Sequence, residues 1–151
     1  MNTFSLDCGL DGMLVELRVG FSLPAVGTLR RAGQVVPQPI TVTALLDTGS
    51  DVSCIEPTSI ATLVNAGLVT KRYIFVNVPH AGGLAPVREF DVSLAIIHPD
   101  HVSSRDFTLR NHPVFERALG AMRFDALIGR DVLSKCVLVC DGPSGRFTLG
   151  Y

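Results

Sequence analysis

The stretch that decides the fold of this chain is ALLDTGS, residues 44–50. Three apolar residues, typical of a buried strand, run directly into a carboxylate, a hydroxyl side chain and a glycine. Because burying an unpaired charge is costly, Asp47 needs either a special environment or a chemical role. The stretch therefore predicts a strand that delivers an acid to a functional turn.

Length and composition predict one globular domain, residues 1–151, because the chain has 151 residues and 47% of them are apolar. The formal net charge is −1, and no long block of like charge occurs. This balance argues against nucleic acid or an anionic membrane surface as a partner.

The chain shows no sign of a membrane span or a secretory signal. No apolar run approaches the roughly 18 residues of a membrane span, and Asp7, Asp11 and Glu16 interrupt the first twenty residues. The four cysteines form no CxxC pair, which favours reduced, half-buried thiols. We therefore expect a cytoplasmic protein.

Hydrophobic periodicity predicts a mostly β domain of short strands and tight turns. Strands are predicted at 13–21, 40–46, 52–55, 73–78, 90–96, 107–109, 124–128, 136–140 and 146–149. Short helices are predicted at 57–66 and 130–135, with a helical turn at 113–119. Residues 1–12 carry no clear signal, and 22–39, rich in proline and glycine, is predicted to be a long exposed connection.

The acid in the turn suits a reaction that needs two carboxylates. When two carboxylates share one proton, the ionised one can take a proton from water while the neutral one donates to a carbonyl. Gly49 would allow a second acidic loop to approach, and Thr48 offers a hydroxyl to that loop. Ser50 is expected to donate to Asp47, which favours the ionised form and an acidic pH optimum.

The second acid has to come from another molecule, because the chain contains only one Asp-Thr/Ser-Gly triplet. Asp11-Gly12 and Asp141-Gly142 lack the hydroxyl residue between acid and glycine. A two-fold axis between two copies of Asp47 would supply the pair.

Two segments resemble the signatures of retropepsins, the single-domain aspartic proteases of retroviral type. The segment LLDTGSD at 45–51 resembles their active-site motif, and ALIGRDVL at 126–133 resembles their second signature. The two segments occur in the family's order, and the resemblance covers roughly residues 13–150. Bacterial or cellular members compare most closely, since the loops are longer than in compact viral enzymes.

The resemblance implies a retropepsin-like closed β-barrel with one or two short helices, and a homodimer that cleaves a peptide or protein substrate without metal or cofactor. It makes Asp47 the catalytic acid and Thr48 an inter-chain grip. The remaining implied roles are support of the active-site loop (Gly49, Ser50), a bracing ion pair (Asp51, Arg130), the second motif (Ile128, Gly129) and a flap at 78–87 with its tip at His80, Ala81, Gly82 and Gly83.

Three alternatives stay open at this point. The chain could be a retropepsin-shaped dimer that binds peptides without cutting them. It could also be a monomeric barrel that binds a small ligand, with Asp47 as a buried polar contact. Thirdly, the Asp-Thr-Gly triplet could be an ordinary turn after a strand, since aspartate and glycine are common in turns. The sequence HPDH at 98–101 lacks the third ligand and the helix that a metal site would need.

Overall fold

The computed structural model describes residues 1–78 and 82–151. Strands dominate this part of the chain, with three short α-helices among them. In chain order the strands are β1 (Thr3–Asp7), β2 (Leu14–Phe21), β3 (Ile40–Leu46), β4 (Cys54–Ile55), β5 (Arg72–Val78), β6 (Gly83–Ile96), β7 (Phe107–Glu116), β8 (Ala126–Ile128), β9 (Val137–Asp141) and β10 (Arg146–Gly150). The helices are α1 (Leu23–Arg31), α2 (Pro57–Asn65) and α3 (Arg130–Leu133).

Six of the described strands close into a barrel in the order β2-β3-β8-β4-β7-β6. The ring closes because β2 also pairs with β6, with Leu17 opposite Ile96 and Val19 opposite Leu94. Strand β5 extends from β6 outside the ring. The predicted closed, mostly β architecture is confirmed.

The alternating apolar side chains of the barrel strands form one core. Residues at every second position of β2 and β6 point inward, as the period of a strand requires. The most deeply buried members include Leu17, Val19, Leu46, Ile55, Phe90, Val92, Val114 and Ile128. Burial of these side chains stabilises the barrel, which fixes the positions of the segments 45–51 and 126–133 relative to each other.

The first twelve residues contain a strand that the sequence interpretation left without structure. Strand β1 pairs with β10 from Thr3 opposite Gly150 to Asp7 opposite Arg146, in a separate sheet of order β1-β10-β9. Phe4 is buried in the core and Leu6 is partly buried on the same face. The alternation of Phe4 and Leu6 was the sequence signal for this strand. Two residues are too few to distinguish a strand from a loop.

The prediction of a long exposed connection at 22–39 is wrong, because helix α1 occupies its first half. Ser22 caps the helix by accepting a hydrogen bond from the Ala25 N–H at 3.4 Å. Pro24 lies in the first turn, where its missing N–H costs nothing. The presence of Pro24 and Gly27 disguised a helix that packs Leu29 against the core.

The predicted helical turn at 113–119 is also wrong, since β7 continues as a strand to Glu116. Pro113 lies opposite Asp91 of β6. Proline is tolerated in a strand where one side lacks a strand partner, and β4 pairs with β7 only at Phe115 and Glu116.

The other two helices lie where the sequence predicted them. α2 begins at Pro57 and buries Ile60 and Leu63, and α3 begins directly after Gly129. In the described part of the chain, no helix combines the length and the apolar character needed to cross a bilayer.

Candidate active site

The parallel pairing of β3 with β8 brings the two predicted motifs side by side. Leu46 lies opposite Ile128, and the Asp47 N–H donates to the Ile128 carbonyl at 2.9 Å. The acid therefore emerges from the barrel directly beside the second motif. This contact joins residues that are far apart in the sequence.

Asp47 stands half-buried at the open end of β3, in a tight turn of its own. The Gly49 N–H donates to Asp47 Oδ1 at 2.9 Å, and the Ser50 N–H lies 3.3 Å from the Asp47 carbonyl. Thr48 and Gly49 are exposed to solvent. A Cβ on Gly49 would lie 3.1 Å from Asp47 Oδ1, so a side chain there would crowd the carboxylate.

The expectation that Ser50 donates to the Asp47 carboxylate is wrong. The Ser50 hydroxyl donates instead to the Val52 carbonyl at 2.8 Å. The turn points the hydroxyl along the chain rather than back at the acid. Its contribution is to the shape of the loop, and the argument for an acidic pH optimum from Ser50 falls with the contact.

Gly129 packs directly against the backbone of the active-site loop. A Cβ at this position would lie 2.7 Å from both the carbonyl carbon and the carbonyl oxygen of Val52, and 3.0 Å from the Ser50 carbonyl oxygen. The Arg130 N–H then donates to the same Ser50 oxygen at 2.9 Å. Glycine is required here by close approach, since its φ of −88° is open to any residue.

The side chains of Asp51 and Arg130 meet in an ion pair at the surface, as the resemblance implies. Both side chains are more than half exposed, at 78% and 59%. An exposed pair of this kind contributes little free energy of folding by itself. Its effect is to link the loop after Asp47 to the start of α3.

A buried polar network behind the loop was missed by the sequence interpretation. The Ser53 N–H and hydroxyl donate to the two carboxylate oxygens of Asp131 at 3.0 and 2.8 Å. His112 Nε2 lies 2.9 Å from Asp131 Oδ2, and the Gly129 N–H donates to the Ser53 hydroxyl at 3.0 Å. This network anchors the second motif to the strand beneath the loop.

The charge of Asp131 is stabilised by these contacts. Burial by itself raises the pKa of the Asp131 carboxyl, but the hydrogen bonds from His112 and Ser53 outweigh it and lower the pKa overall. The signals in the sequence were a serine within an apolar strand and an acid directly after Arg130. Neither signal identifies His112, which comes from a different strand.

A cavity of about 630 Å³ lies between the active-site loop and the β5–β6 hairpin. Ser50 and Val52 form one side, and the inward face of the hairpin forms the other through Ile74, Val76 and Val87. Its volume falls within the roughly 300–1,000 Å³ typical of ligand pockets. Ser50 also lines the concavity that contains Asp47.

The described part of the predicted flap fits a tight hairpin. The ladder ends with Val78 opposite Gly83, and Gly82 has a positive φ of 68°, a conformation that favours glycine. The other two predicted tip residues, His80 and Ala81, lie outside the described residues.

Two further concavities adjoin Asp47. One of about 420 Å³ is lined by Asp47, Gly49 and the apolar side chains of Leu119, Met122, Phe124 and Leu127. The other is an open groove of about 600 Å³ on the opposite side of the turn. That groove is lined by Asp47, Thr48 and the apolar side chains of Leu10, Met13, Leu45 and Phe147.

The four cysteines are free thiols that differ in exposure: Cys8 and Cys140 are exposed, Cys136 is intermediate and Cys54 is buried. The expectation of half-buried thiols is therefore met by Cys136 and not by the other three. Burial raises the pKa of the Cys54 thiol to about 11, which makes it a poor nucleophile although it lines the cleft.

The two histidines of the HPDH segment, His98 and His101, lie in different environments. His98 is buried, with Nδ1 2.7 Å from Asp100 Oδ1, whereas His101 is exposed and 3.9 Å from Glu16. Across residues 1–78 and 82–151, no cluster of histidine, cysteine and acidic side chains is arranged to hold a metal ion.

The fold and the site together define a retropepsin-like structure. The chain superposes on the crystal structure of a retropepsin-like aspartic protease from Rickettsia conorii with a TM-score of 0.52, at 13% identity, covering 99% of this chain and 90% of that one. It also matches the retroviral protease-like domain of Ddi1 from Leishmania major with a TM-score of 0.42, at 13% identity, covering 87% of this chain and 83% of that one. No family model and no curated protein matches the sequence. At such identity the similarity establishes the fold alone.

Proposed function

We propose that this chain is an aspartic endopeptidase that works as a homodimer, with Asp47 of each protomer forming half of a catalytic carboxylate pair. The observation that carries the proposal is the setting of Asp47. Its carboxylate stands half-buried where a core strand ends, one oxygen accepts the Gly49 N–H, and it borders two concavities. The retropepsin-like fold adds support, because it is shared with an aspartic protease.

The groove of about 600 Å³ beside Thr48 supports the proposal that a second copy of this chain binds here. Leu10 on its rim is fully exposed, and Met13 and Leu45 make its floor apolar. An exposed leucine beside apolar side chains is a surface that a second copy could cover. A two-fold axis through the groove would bring the two Asp47 carboxylates and the two Thr48 hydroxyls together.

The edge of the second sheet adds to this face. Strand β9 has no strand partner on its outer side among the described residues, and it exposes Val137 and Val139 at 55% and 54%. Uncovered apolar edges are avoided in soluble monomers because they pair with other chains. The hairpin of β9 and β10 also contributes Cys140 and Phe147 to the groove, and these side chains lie on the face of the strand opposite to Val137 and Val139.

The pair would cleave a peptide by activating water. The ionised carboxylate takes a proton from water while the water oxygen bonds to the peptide carbonyl carbon, and the protonated carboxyl gives its proton to the carbonyl oxygen. The tetrahedral adduct then collapses. The carboxyl that took the proton from water gives it to the amide nitrogen, and the C–N bond breaks. The other carboxylate takes a proton from a hydroxyl of the adduct, so that an acid and an amine leave and the pair again shares one proton. Metal and cofactor are not required, and the substrate is a peptide or a protein.

The hairpin of β5 and β6 would act as a flap over this cleft. Its inward face lines the cavity of about 630 Å³, so closure over an extended peptide would exclude water from the carboxylates. At the described end of the hairpin, Gly82 and Gly83 would contact the substrate backbone. The ion pair of Asp51 and Arg130 would keep the active-site loop in place during closure.

The test is the Asp47→Asn variant, which keeps the shape of the side chain and removes the acid. Cleavage of a diverse peptide library should fall by roughly 10³-fold or more. Sedimentation should still give the dimer, because asparagine keeps a side-chain oxygen that can accept the Gly49 N–H. Asp91→Asn, a partly exposed aspartate on β6 far from the loop, is the matched control and should cleave at the wild-type rate.

Two results would contradict the proposal. One is cleavage by Asp47→Asn at the wild-type rate. The other is a protein that sediments as a monomer at micromolar concentration, since the second acid would then be missing. A dimer that binds the library peptides and never cuts them would instead favour a peptide-binding module of the same fold.

A further inference from the structure

One arginine, Arg117, borders both cavities that flank the active-site loop. It lines the cavity under the hairpin together with Val52, and the smaller cavity together with Asp47. Its position is set by the backbone, because the Arg117 N–H donates to the Ile55 carbonyl at 3.0 Å directly after β7 ends. Arg117 is itself exposed to solvent, so its guanidinium can meet a molecule in the cleft.

The charge of Arg117 is unpaired within residues 1–78 and 82–151, where no carboxylate lies within ion-pair distance of it. The neighbouring acid, Glu116, is already engaged by Arg88 through two hydrogen bonds of 2.6 Å. The charge of Arg117 acts on Cys54, which lines the same cavity under the hairpin. Burial raises the pKa of the Cys54 thiol, and the positive charge of Arg117 opposes that rise.

Both cavities that Arg117 lines combine apolar and polar groups. The cavity under the hairpin presents Ile74 and Val87 beside Glu116. The smaller cavity presents Leu119 and Leu127 beside Asp47. At a partly apolar surface a guanidinium attracts a counter-charge more strongly than in open water, since the effective dielectric is lower. A carboxylate is the natural ligand, because it can accept two parallel N–H bonds from arginine.

We propose that Arg117 binds an acidic side chain of the substrate beside the scissile bond, so that this site selects peptides with Glu or Asp among apolar residues. The inference rests on the proposed function and names its substrate class. In the homodimer the two-fold axis places one Arg117 on each side of the cleavage point. Apolar side chains of the substrate then fill the two cavities.

The experiment compares two pools of short peptides with the same randomised apolar residues. One pool carries a single Glu at a randomised position, and the other carries Gln there. Wild-type protein should cleave the Glu pool about fivefold faster, the factor that a partly exposed ion pair supplies. This preference should shrink at high salt, because the Debye length falls to about 3 Å at 1 M.

Reversing the charge of Arg117 tests directly whether this residue causes the preference. Arg117→Glu should lose the preference for the Glu pool and favour a matched Lys pool. Arg110→Glu makes the same charge change at an exposed arginine on β7 away from the cleft, and should keep the wild-type preference. Equal cleavage of the Glu and Gln pools by wild type, or a Glu preference that survives in Arg117→Glu, would overturn the inference while the protease assignment stands.

A binding measurement separates the two proposals if wild type cleaves neither pool. Absence of cleavage contradicts the proposed function, and fluorescence competition with the same pools then judges Arg117 alone. Tighter binding of the Glu pool to wild type but not to Arg117→Glu supports the acidic-ligand site. Equal binding of both pools overturns it.

Discussion

Replacing Gly129 with alanine should displace the active-site loop, because the added methyl group has no free space. The new Cβ would lie 2.7 Å from the Val52 carbonyl carbon and oxygen and 3.0 Å from the Ser50 carbonyl oxygen. Ordinary contacts between such atoms are about 3.5–4.0 Å. All of these neighbours are backbone atoms, so no side chain can rotate away to make room.

The magnitude follows from three terms. Forcing a methyl group into a filled space costs about 1–3 kcal/mol. The displaced loop would also weaken the hydrogen bonds of Arg130 N–H to Ser50 and of Gly129 N–H to Ser53, each worth about 1 kcal/mol. Alanine restores about 0.4–1 kcal/mol by restricting the unfolded chain. We therefore expect a net loss of about 2–4.5 kcal/mol in the free energy of unfolding when both hydrogen bonds are lost.

Urea unfolding at a fixed protein concentration measures this loss. The control is Gly27→Ala, the same chemical change in the middle of helix α1. There the nearest atom is the flexible end of Arg31 at 3.4 Å, so alanine should stabilise the protein by about 0.5–1 kcal/mol. A Gly129→Ala protein that unfolds within about 0.5 kcal/mol of wild type would refute the close-contact argument.

Three further predictions concern polar contacts. Folding lowers the pKa of Asp131, so its ionised form stabilises the fold above the usual carboxyl pKa, and that contribution is lost as the pH falls through the folded value. Unfolding measured from pH 7 down to acid should therefore show a weaker pH dependence in Asp131→Asn, and an unchanged slope would contradict the prediction. Ser50→Ala removes a hydrogen bond to the Val52 carbonyl and should cost about 0.5–1 kcal/mol in urea unfolding without changing the shape of the activity–pH profile; an altered profile would restore a direct contact with the acid. Ser22→Ala removes the cap of α1 and should cost about 1 kcal/mol, with Ser22→Gly milder, and equal losses in the two variants would argue against capping.

Local pattern was enough to predict most of the barrel. Strand alternation identified β2, β3 and the long hairpin, and the start signal at Pro57 with the stop signal at Gly67 identified α2. The pairing of Asp51 with Arg130 also followed, because it was implied by a family whose two signatures are short and contiguous. In each case the signal lies within a few residues of the element that it predicts.

Contacts between distant parts of the chain had no such signal. The side chains of Ser53, His112 and Asp131 meet only because β4, β7 and α3 are brought together by the barrel. Arg117 became notable only when it proved to border two cavities with its charge unpaired in the described part of the chain. Sequence spacing carries no information about which strand will lie beside another.

What the sequence by itself determined is the acid-bearing turn, its companion motif and the β character of the domain, since hydrophobic periodicity and glycine placement act over a few residues. Only the tertiary structure decided that the chain termini share a sheet, that α1 fills the segment after β2, and that the Ser50 hydroxyl turns toward Val52 rather than Asp47. These outcomes depend on which surfaces are buried against each other, and that is settled by the packing of the whole chain.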